Sequence, residues 1–216
     1  MIMKPVMFLN GRKFKIVQIM SEREIEKDSS FVYKVILGRQ KWDNEYVLKK
    51  ILCQTEERYL EAMIELKIMS EMNKKSSSPY ILKLADSCTT INRRNQKEVY
   101  LLTSPYICSM QNVIDHGSAV YSDACPSLGY PHCPFYDGLD AVMILRQCCE
   151  GLEALHSYGY RHGDLHPGNI LLRANLQAVL SDFSNVAAIP QQLKSRADAL
   201  AVEERAAQRT RGAYVC

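Results

Sequence analysis

The octapeptide His-Gly-Asp-Leu-His-Pro-Gly-Asn at positions 162–169 constrains the fold of this chain more than any other stretch. Asp164 and Asn169 lie close enough in sequence for one short loop to turn both side chains inward. The residues that follow predict a β-hairpin from two apolar stretches, Ile170–Leu172 and Ala178–Leu180. Such a hairpin returns the chain to its starting point, so we expect Asp182 to lie beside Asn169.

These three side chains have the chemistry that phosphoryl transfer from a nucleotide requires. Asp164 can accept a proton from a hydroxyl group, while Asn169 and Asp182 can bind Mg²⁺ through oxygen atoms. The alternative is a polar turn without a chemical role, because Asp, Pro, Gly and Asn all favour turns. The Asp182-Phe183 pair, directly after a strand-like stretch, favours the catalytic interpretation.

At these positions the chain resembles the eukaryotic protein kinase superfamily. His162, Asp164 and Asn169 match the His-Arg-Asp…Asn catalytic loop, and residues 182–184 match the Asp-Phe-Gly motif. Three positions depart from those motifs: Gly163 replaces arginine, His166 replaces lysine and Ser184 replaces glycine.

Within that superfamily the chain is similar to a Golgi-associated, lipid-anchored serine/threonine branch of the numb-associated kinase family. The likeness rests on residues 195–214, with support from residues 48–53 and 151–156. It implies an α+β, two-lobed fold. Residues 1–104 are expected to form an antiparallel β small lobe with one helix, and residues 105–216 a mainly helical large lobe. Because the sequence ends at Cys216, about where such kinases continue into Ala-Pro-Glu, we expect a truncated chain with an incomplete large lobe.

Side-chain alternation in the strand predicted over residues 45–52 places Lys49 among apolar residues on one face. A lysine buried alone is costly, so it needs an anionic partner. The natural candidate is Glu65, on the helix predicted over residues 56–72. The resemblance implies that this pair positions the α- and β-phosphates of ATP. Lys50 points to the opposite face and is predicted to be solvated; the alternative is that both lysines are exposed.

The resemblance also assigns the remaining site residues and ligands. Asp164 is the expected catalytic base, supported by Lys49 and Glu65, and the expected ligands of Mg²⁺ are Asn169 and Asp182. Nucleotide binding is expected of Val32 and Leu171, above and below the adenine, of Tyr106 at the hinge, and of Lys49 and Asn169. ATP and Mg²⁺ are the expected substrate and metal, and the expected partner is a protein with serine or threonine hydroxyls.

The missing glycines and the expected truncation favour a second hypothesis, a catalytically inactive kinase-like binding module, and Arg211 is a further departure that bears on activity. Residues 21–33, where kinases carry a glycine-rich phosphate loop, contain no glycine, so the backbone cannot approach phosphates as closely. Acidic residues there add negative charge where ATP would bring more: Glu22, Glu24, Glu26 and Asp28. Arg211 stands where relatives have the threonine that supports the catalytic aspartate, with Thr210 one place away.

A third hypothesis is a small-molecule kinase of the aminoglycoside or fructosamine type, because the octapeptide at 162–169 is also the usual form of this motif in those enzymes. The Ala-Ala-Gln-Arg segment at 206–209, followed by Tyr214, instead favours a surface that docks a peptide. The main hypothesis is therefore a serine/threonine protein kinase.

Composition agrees with a soluble globular protein, with 47% hydrophobic and 24% charged residues among 216. A net charge of +3 is too mild to indicate a nucleic-acid partner. Ile2 stands where myristoylation requires glycine, so the N-terminus does not support a lipid anchor. Eight cysteines without a secretory signal favour reduced thiols in the cytoplasm, and Golgi or other membrane association follows from the resemblance alone.

Two further predictions concern the second half of the chain. Residues 116–138 form a long loop, in which Cys125, His132 and Cys133 lack the CxxC spacing of a zinc site. A helix over residues 140–158 leads into the catalytic loop. Its predicted apolar stripe consists of Val142, Leu145, Cys149, Leu152 and Leu155.

Overall fold

The computed structural model describes residues 6–25, 28–37, 45–116, 138–173, 176–189 and 195–209. Its first part is a six-stranded antiparallel sheet in the order β1-β2-β3-β4-β6-β5. The strands are β1 (Val6–Leu9), β2 (Arg12–Ile25), β3 (Asp28–Leu37), β4 (Glu45–Cys53), β5 (Leu84–Ile91) and β6 (Lys97–Thr103). The strand predicted over residues 45–52 is present as β4, and β1 lies at the edge of the sheet.

Strand β4 lies between β3 and β6, and its side chains alternate as predicted. Leu48 packs in a cluster on one face of the sheet with Phe14 and Val35, whereas Ile51 belongs to the main core on the other face. Lys49 shares the face of Ile51 because the two are separated by one residue. The alternation thus points Lys49 toward the side of the sheet that the helix covers.

The prediction that Lys50 is solvated is wrong. Its ammonium nitrogen lies 3.0 Å from Oε1 of Glu98, and its side chain is only 25% exposed. Glu98 is itself buried and also accepts hydrogen bonds from Tyr100 and Asn92. Lys50 lies directly opposite Tyr100 on β6, so cross-strand neighbours cover it on the outer face.

Helix α1 (Glu56–Lys75) follows β4 directly. Its N-cap is Thr55, whose side chain accepts a hydrogen bond from the backbone N–H of Arg58 at 3.2 Å. The buried face consists of Ala62, Glu65, Ile68, Met69 and Met72. Leu60 and Ile64 lie outside this face and are exposed, since residues spaced strictly by four drift away from a face with a period of 3.6.

The second part of the chain contains helices and short strands. Its helices are α2 (Met110–His116), α3 (Gly138–Ser157) and α4 (Arg196–Arg209), and a single 3₁₀ turn spans Pro167–Asn169. Its strands are β7 (Cys108–Ser109), β8 (Tyr160–Arg161), β9 (Ile170–Leu172), β10 (Ala178–Leu180) and β11 (Ala187–Ala188). They form one sheet in the order β10-β9-β7 and one pair of β11 with β8.

One hydrophobic core joins the two parts. It contains Ile51 and Met69 from the first part and Leu155, Leu172 and Leu180 from the second. Backbone hydrogen bonds add to the connection, because residues 80–82 pair with Leu180 through two bonds of 2.8 and 2.9 Å. The α+β architecture expected from the sequence is therefore confirmed. A lobe boundary at 104/105 falls in the connection between β6 and β7 and stays a prediction.

Helix α3 packs on strand β10 with a different face from the predicted one. Ile144, Cys148, Gly151 and Leu155 are buried. A methyl group at Gly151 would come within 3.0 Å of Leu180, so the missing side chain permits close packing. Of the predicted stripe, Leu155 is fully buried and Leu152 half-buried, whereas the other three members are exposed: Val142, Leu145 and Cys149.

Several predictions fall outside the described residues. These positions are Glu26, most of the long loop with Cys125, His132 and Cys133, and the C-terminal Thr210, Arg211 and Tyr214. Among the helices that the structure describes, none combines the length and the apolar character needed to cross a bilayer.

Candidate functional site

The side chain of Lys49 connects three separate segments of the chain. Its ammonium nitrogen lies 2.8 Å from Oε1 and 2.9 Å from Oε2 of Glu65, on α1. It also lies 3.7 Å from Oδ2 of Asp182, two residues after β10 ends. The structure therefore brings together the predicted lysine, its predicted acidic partner and one of the two predicted metal ligands.

Burial and charge oppose each other at this cluster. Burial alone would lower the pKa of Lys49, but the carboxylates of Asp182 and Glu65 outweigh it and raise the pKa. Burial raises the pKa of Glu65, and the ammonium group of Lys49 opposes that rise. Burial also acts against the charge of Asp182, but Lys49 and hydrogen bonds from Ser184 lower the pKa of that carboxyl to about 2. Near neutral pH, Asp182 is thus an anion and Lys49 a cation.

Asp182 has a backbone conformation that residues other than glycine seldom adopt. Its φ angle is 59°, in the left-handed region, which costs about 1–2 kcal/mol for most residues and less for aspartate. The hydroxyl of Ser184 donates to Oδ1 of Asp182 at 2.8 Å. Ser184, which replaces the usual glycine, therefore fixes one carboxylate oxygen while the other lies nearest Lys49.

The predicted hairpin brings the catalytic loop to Asp182. Strands β9 and β10 pair in an antiparallel register with Leu180 opposite Ile170. Beyond the hairpin, Ser181 donates to the carbonyl oxygen of Asn169 through its backbone N–H at 3.0 Å and its hydroxyl at 3.1 Å. Asp182 follows immediately, so the predicted neighbourhood of Asn169 and Asp182 is present along the backbone.

Asn169 also organises the loop that carries Asp164. Its side-chain amide donates to the main-chain carbonyl of Asp164 at 2.8 Å, which leaves its Oδ1 oriented away from that contact. Asn169 is buried, whereas Asp164 is half-buried. The aspartate is therefore held by its backbone, with its carboxylate accessible for chemistry.

His162 anchors the start of the loop. Its Nε2 atom lies 2.9 Å from the carbonyl oxygen of Ser181, and because a carbonyl only accepts, Nε2 carries the hydrogen. The ring lies 5.5 Å from the ring of Phe183, and the residue is 2% exposed. Burial lowers the pKa of His162, so the ring stays neutral near neutral pH. These contacts agree with a structural role.

His166, which stands where kinases have lysine, has a fixed ring orientation. Its Nδ1 accepts a hydrogen bond from the backbone N–H of Gly168 at 3.0 Å. In the neutral ring the hydrogen must then be on Nε2, which makes that atom a donor. The same contact caps the 3₁₀ turn that ends at Asn169.

Sequence reasoning missed Asn185. Its side-chain amide donates to Oδ2 of Asp164 at 3.1 Å. Gly163 lies against the same residue, because a methyl group built on Gly163 would come within 2.3 Å of the Asn185 carbonyl oxygen. In the sequence, the replacement of the usual arginine by Gly163 was the signal that another residue approaches the loop at this point.

The donor atoms fit Mg²⁺. Magnesium prefers hard oxygen ligands and is usually bound through one or two carboxylates together with phosphate oxygens and water. Asp182 offers a carboxylate and Asn169 an amide oxygen. Across the described parts of the chain, no cluster of three or more His, Cys, Asp or Glu residues has the arrangement of a metal site. The residues present therefore suit a metal bound jointly with a nucleotide.

Three further residues are expected to bind the nucleotide, Val32 and Leu171 at the adenine and Tyr106 at the hinge. Val32 on β3 pairs directly with Lys49 in the sheet register. Leu171 is buried on β9, and Tyr106 packs against the core in the connection after β6. Burial raises the pKa of Tyr106 to about 12, although the charge of Lys49 opposes the rise. Their contact with the nucleotide stays a prediction.

The glycine-free segment forms a long hairpin. Strands β2 and β3 remain paired as far as Ile25 opposite Asp28, with irregularities between Ile16 and Gln18 and between Ile19 and Ser21. Paired strands thus occupy residues 21–25 and 28–33, where kinases carry the phosphate loop.

Comparisons with known proteins agree with the site. The chain is 29% identical over 175 residues to serine/threonine-protein kinase 16 of both Rattus norvegicus and Homo sapiens. It is 30% identical over 143 residues to mitogen-activated protein kinase homolog NTF3 of Nicotiana tabacum. The first two alignments cover 78% of this chain and 50% of each relative, so the chain spans about half the length of those relatives.

The family comparison covers most of the chain. The protein kinase domain family matches residues 29–204, which include every predicted site residue. The likeness to serine/threonine-protein kinase 16 agrees with the serine/threonine class of kinase that the sequence motifs indicate. This chain belongs to the protein kinase domain family, within the eukaryotic protein kinase superfamily.

Proposed function

We propose that this chain is a serine/threonine protein kinase that transfers the γ-phosphoryl group of ATP to a protein hydroxyl in the presence of Mg²⁺. The observation that carries this proposal is the position of Lys49 between Glu65 at 2.8 Å and Asp182 at 3.7 Å. This contact needs strand β4, helix α1 and the segment after β10 to be in place together, which is the arrangement phosphoryl transfer in kinases requires.

Each side chain then has a defined task. Lys49, held by Glu65, contacts the α- and β-phosphates of ATP as a cation. Asp164 orients the attacking hydroxyl and accepts its proton, a contribution that is typically about 10²–10⁴-fold. Asp182 and Asn169 hold Mg²⁺, which when bound neutralises charge on the phosphate oxygens.

Phosphoryl transfer to a generic protein substrate tests the proposal. We expect transfer from radiolabelled ATP to dephosphorylated casein, and a loss of at least about 10²-fold in Asp164→Asn, which keeps the shape but cannot accept the proton. Asp86→Asn, on strand β5 away from the site, is the control. Transfer to an aminoglycoside or a fructosamine but not to casein would instead support a small-molecule kinase, although the matched family and the relatives are protein kinases.

One observation favours the second candidate, an inactive kinase-like binding module. Strands β2 and β3 pair up to Ile25 and Asp28 without a glycine in the segment. If that hairpin excludes the triphosphate, ATP with Mg²⁺ will not raise the melting temperature of the protein. A rise in melting temperature that is abolished in Asp182→Ala supports the kinase hypothesis, because the stabilisation by ATP then depends on the proposed Mg²⁺ ligand Asp182.

A further inference from the structure

We propose that Asn185 is a positioning residue for the reaction: its side-chain amide holds the Asp164 carboxylate in the orientation that accepts the proton of the protein hydroxyl. The inference rests on the proposed kinase function, since Asp164 is the base in that reaction. It adds a residue that follows the Asp-Phe-Ser motif and lies outside the motif residues that identified the site.

The contacts on Asp164 come from two directions. The amide of Asn185 donates to carboxylate Oδ2 at 3.1 Å, and the amide of Asn169 donates to the main-chain carbonyl at 2.8 Å. One carboxylate oxygen is therefore occupied by a fixed donor, which leaves Oδ1 for the substrate hydroxyl. A carboxylate with one oxygen held in this way cannot rotate freely about its last side-chain bond.

The fold places Asn185 at this position. Strands β8 and β11 pair with Ala187 opposite Arg161, and Asn185 and Gly163 each lie two residues away from that pair. A turn closed by the bond from the N–H of Val186 to the carbonyl of Phe183, at 3.2 Å, holds Asn185 from its own side. The neighbouring strand pair and this turn therefore hold Asn185 close to Gly163.

Gly163 is what permits the approach. Its φ angle is 80°, and a methyl group there would lie 2.3 Å from the carbonyl oxygen of Asn185. Real side-chain carbons do not come this close to a backbone oxygen, so any larger residue at 163 displaces Asn185 from Asp164. Gly163 and Asn185 therefore form a matched pair, in which the smaller residue makes room for the donor.

The role matters because proton transfer depends on geometry. A base displaced by about 1 Å loses as much as about 10²-fold in rate. A positioning residue affects the chemical step while nucleotide binding stays intact, since Lys49 contacts the phosphates and Asp182 holds Mg²⁺ independently of Asn185.

The first test compares kcat with ATP affinity in four variants: Asn185→Ala, Asn185→Asp, Asn185→Gln and the remote control Asn92→Ala. We expect kcat for casein to fall about tenfold or more in Asn185→Ala, in keeping with the loss of one hydrogen bond to a charged group. Asn185→Asp falls further, because a second carboxylate repels Asp164, and Asn185→Gln recovers part of the loss. The Kd for ATP with Mg²⁺ stays within about twofold, since the nucleotide contacts are unchanged.

Unchanged kcat in Asn185→Ala, or a parallel loss of ATP affinity and melting temperature, overturns the positioning role. A second readout does not need activity. By NMR, the side-chain amide of Asn185 should exchange slowly with solvent, and this protection should vanish in Asp164→Ala but not in Asp86→Ala. Protection that survives Asp164→Ala refutes the contact. A third outcome separates the two proposals. If the protection depends on Asp164 but the wild-type protein transfers no phosphoryl group, the contact is established and the proposed kinase function is overturned.

Discussion

Lys49 and Lys50 are neighbours on strand β4, yet they have acidic partners on opposite faces of the sheet. Lys49 contacts Glu65 on helix α1, and Lys50 contacts Glu98 on strand β6 at 3.0 Å. The first pair belongs to the candidate nucleotide site, and the second belongs to the outer surface of the sheet. This separation allows nucleotide binding and stability to be tested with two adjacent substitutions.

Lys49→Ala should weaken ATP binding much more than Lys50→Ala. The loss of a hydrogen-bonded charge on a phosphate costs about 1.5–3 kcal/mol, or about 10–100-fold in Kd. Lys50→Ala instead leaves the buried carboxylate of Glu98 with one partner fewer, which lowers the free energy of unfolding by about 1–3 kcal/mol. Calorimetry with ATP and Mg²⁺, together with urea unfolding of both variants, checks the two effects. Equal losses of ATP affinity would argue against the assignment of Lys49.

Gly163→Ala should destabilise the protein more than Gly159→Ala. Both glycines have positive φ angles, 80° and 77°, so both substitutions incur about 1–2 kcal/mol for the left-handed conformation. A methyl group at Gly159 meets nothing within 4 Å, whereas at Gly163 it meets the backbone of Asn185. The overlap adds about 1–3 kcal/mol. Thermal or urea unfolding of the two variants measures the difference, and equal losses would show that the backbone at 185 yields without cost.

The buried carboxylate of Glu98 should make stability depend on pH. Burial opposes its charge, but hydrogen bonds from Tyr100, Lys50 and Asn92 outweigh burial and lower the pKa of Glu98 from its ordinary value of 4.5. The folded state therefore binds this proton less readily than the unfolded state. The stabilisation is fully present above pH 4.5 and is lost as the pH falls through the lowered pKa.

Unfolding of Glu98→Gln and of the wild type across this range checks the dependence. The gap between their free energies of unfolding should be widest near neutral pH and should shrink in acid below pH 4.5. A gap that stays constant from neutral to acid pH would mean that the charge of Glu98 contributes nothing.

Local patterns predicted the parts of the site that depend on neighbouring residues. Alternation along β4 predicted the direction of Lys49, and the cost of an unpaired buried charge predicted a partner such as Glu65. The hairpin of β9 and β10 followed from two apolar stretches, and it brought Asp182 to Asn169. These relationships need only a strand period and a short connection.

The features that the sequence did not predict depend on distant pairing. Asn185 reaches Asp164 because β8 pairs with β11, and these strands have only two residues each. Lys50 is covered because β6 lies beside β4, which the alternation of β4 alone does not reveal. On α3 two apolar stripes compete, and burial follows the one that contains Gly151, since that residue permits close contact with Leu180.

The decisive measurement is the binding of ATP as a function of Mg²⁺ concentration, in the wild type and in Asp182→Asn. Asparagine keeps the size of Asp182 but removes the negative charge that a metal ligand needs. We expect Mg²⁺ to tighten ATP binding to the wild type at least about tenfold, and Asp182→Asn to lose this effect while remaining folded. ATP affinity that is independent of Mg²⁺ and equal in the two proteins would contradict the assignment of Asp182 as a ligand of Mg²⁺.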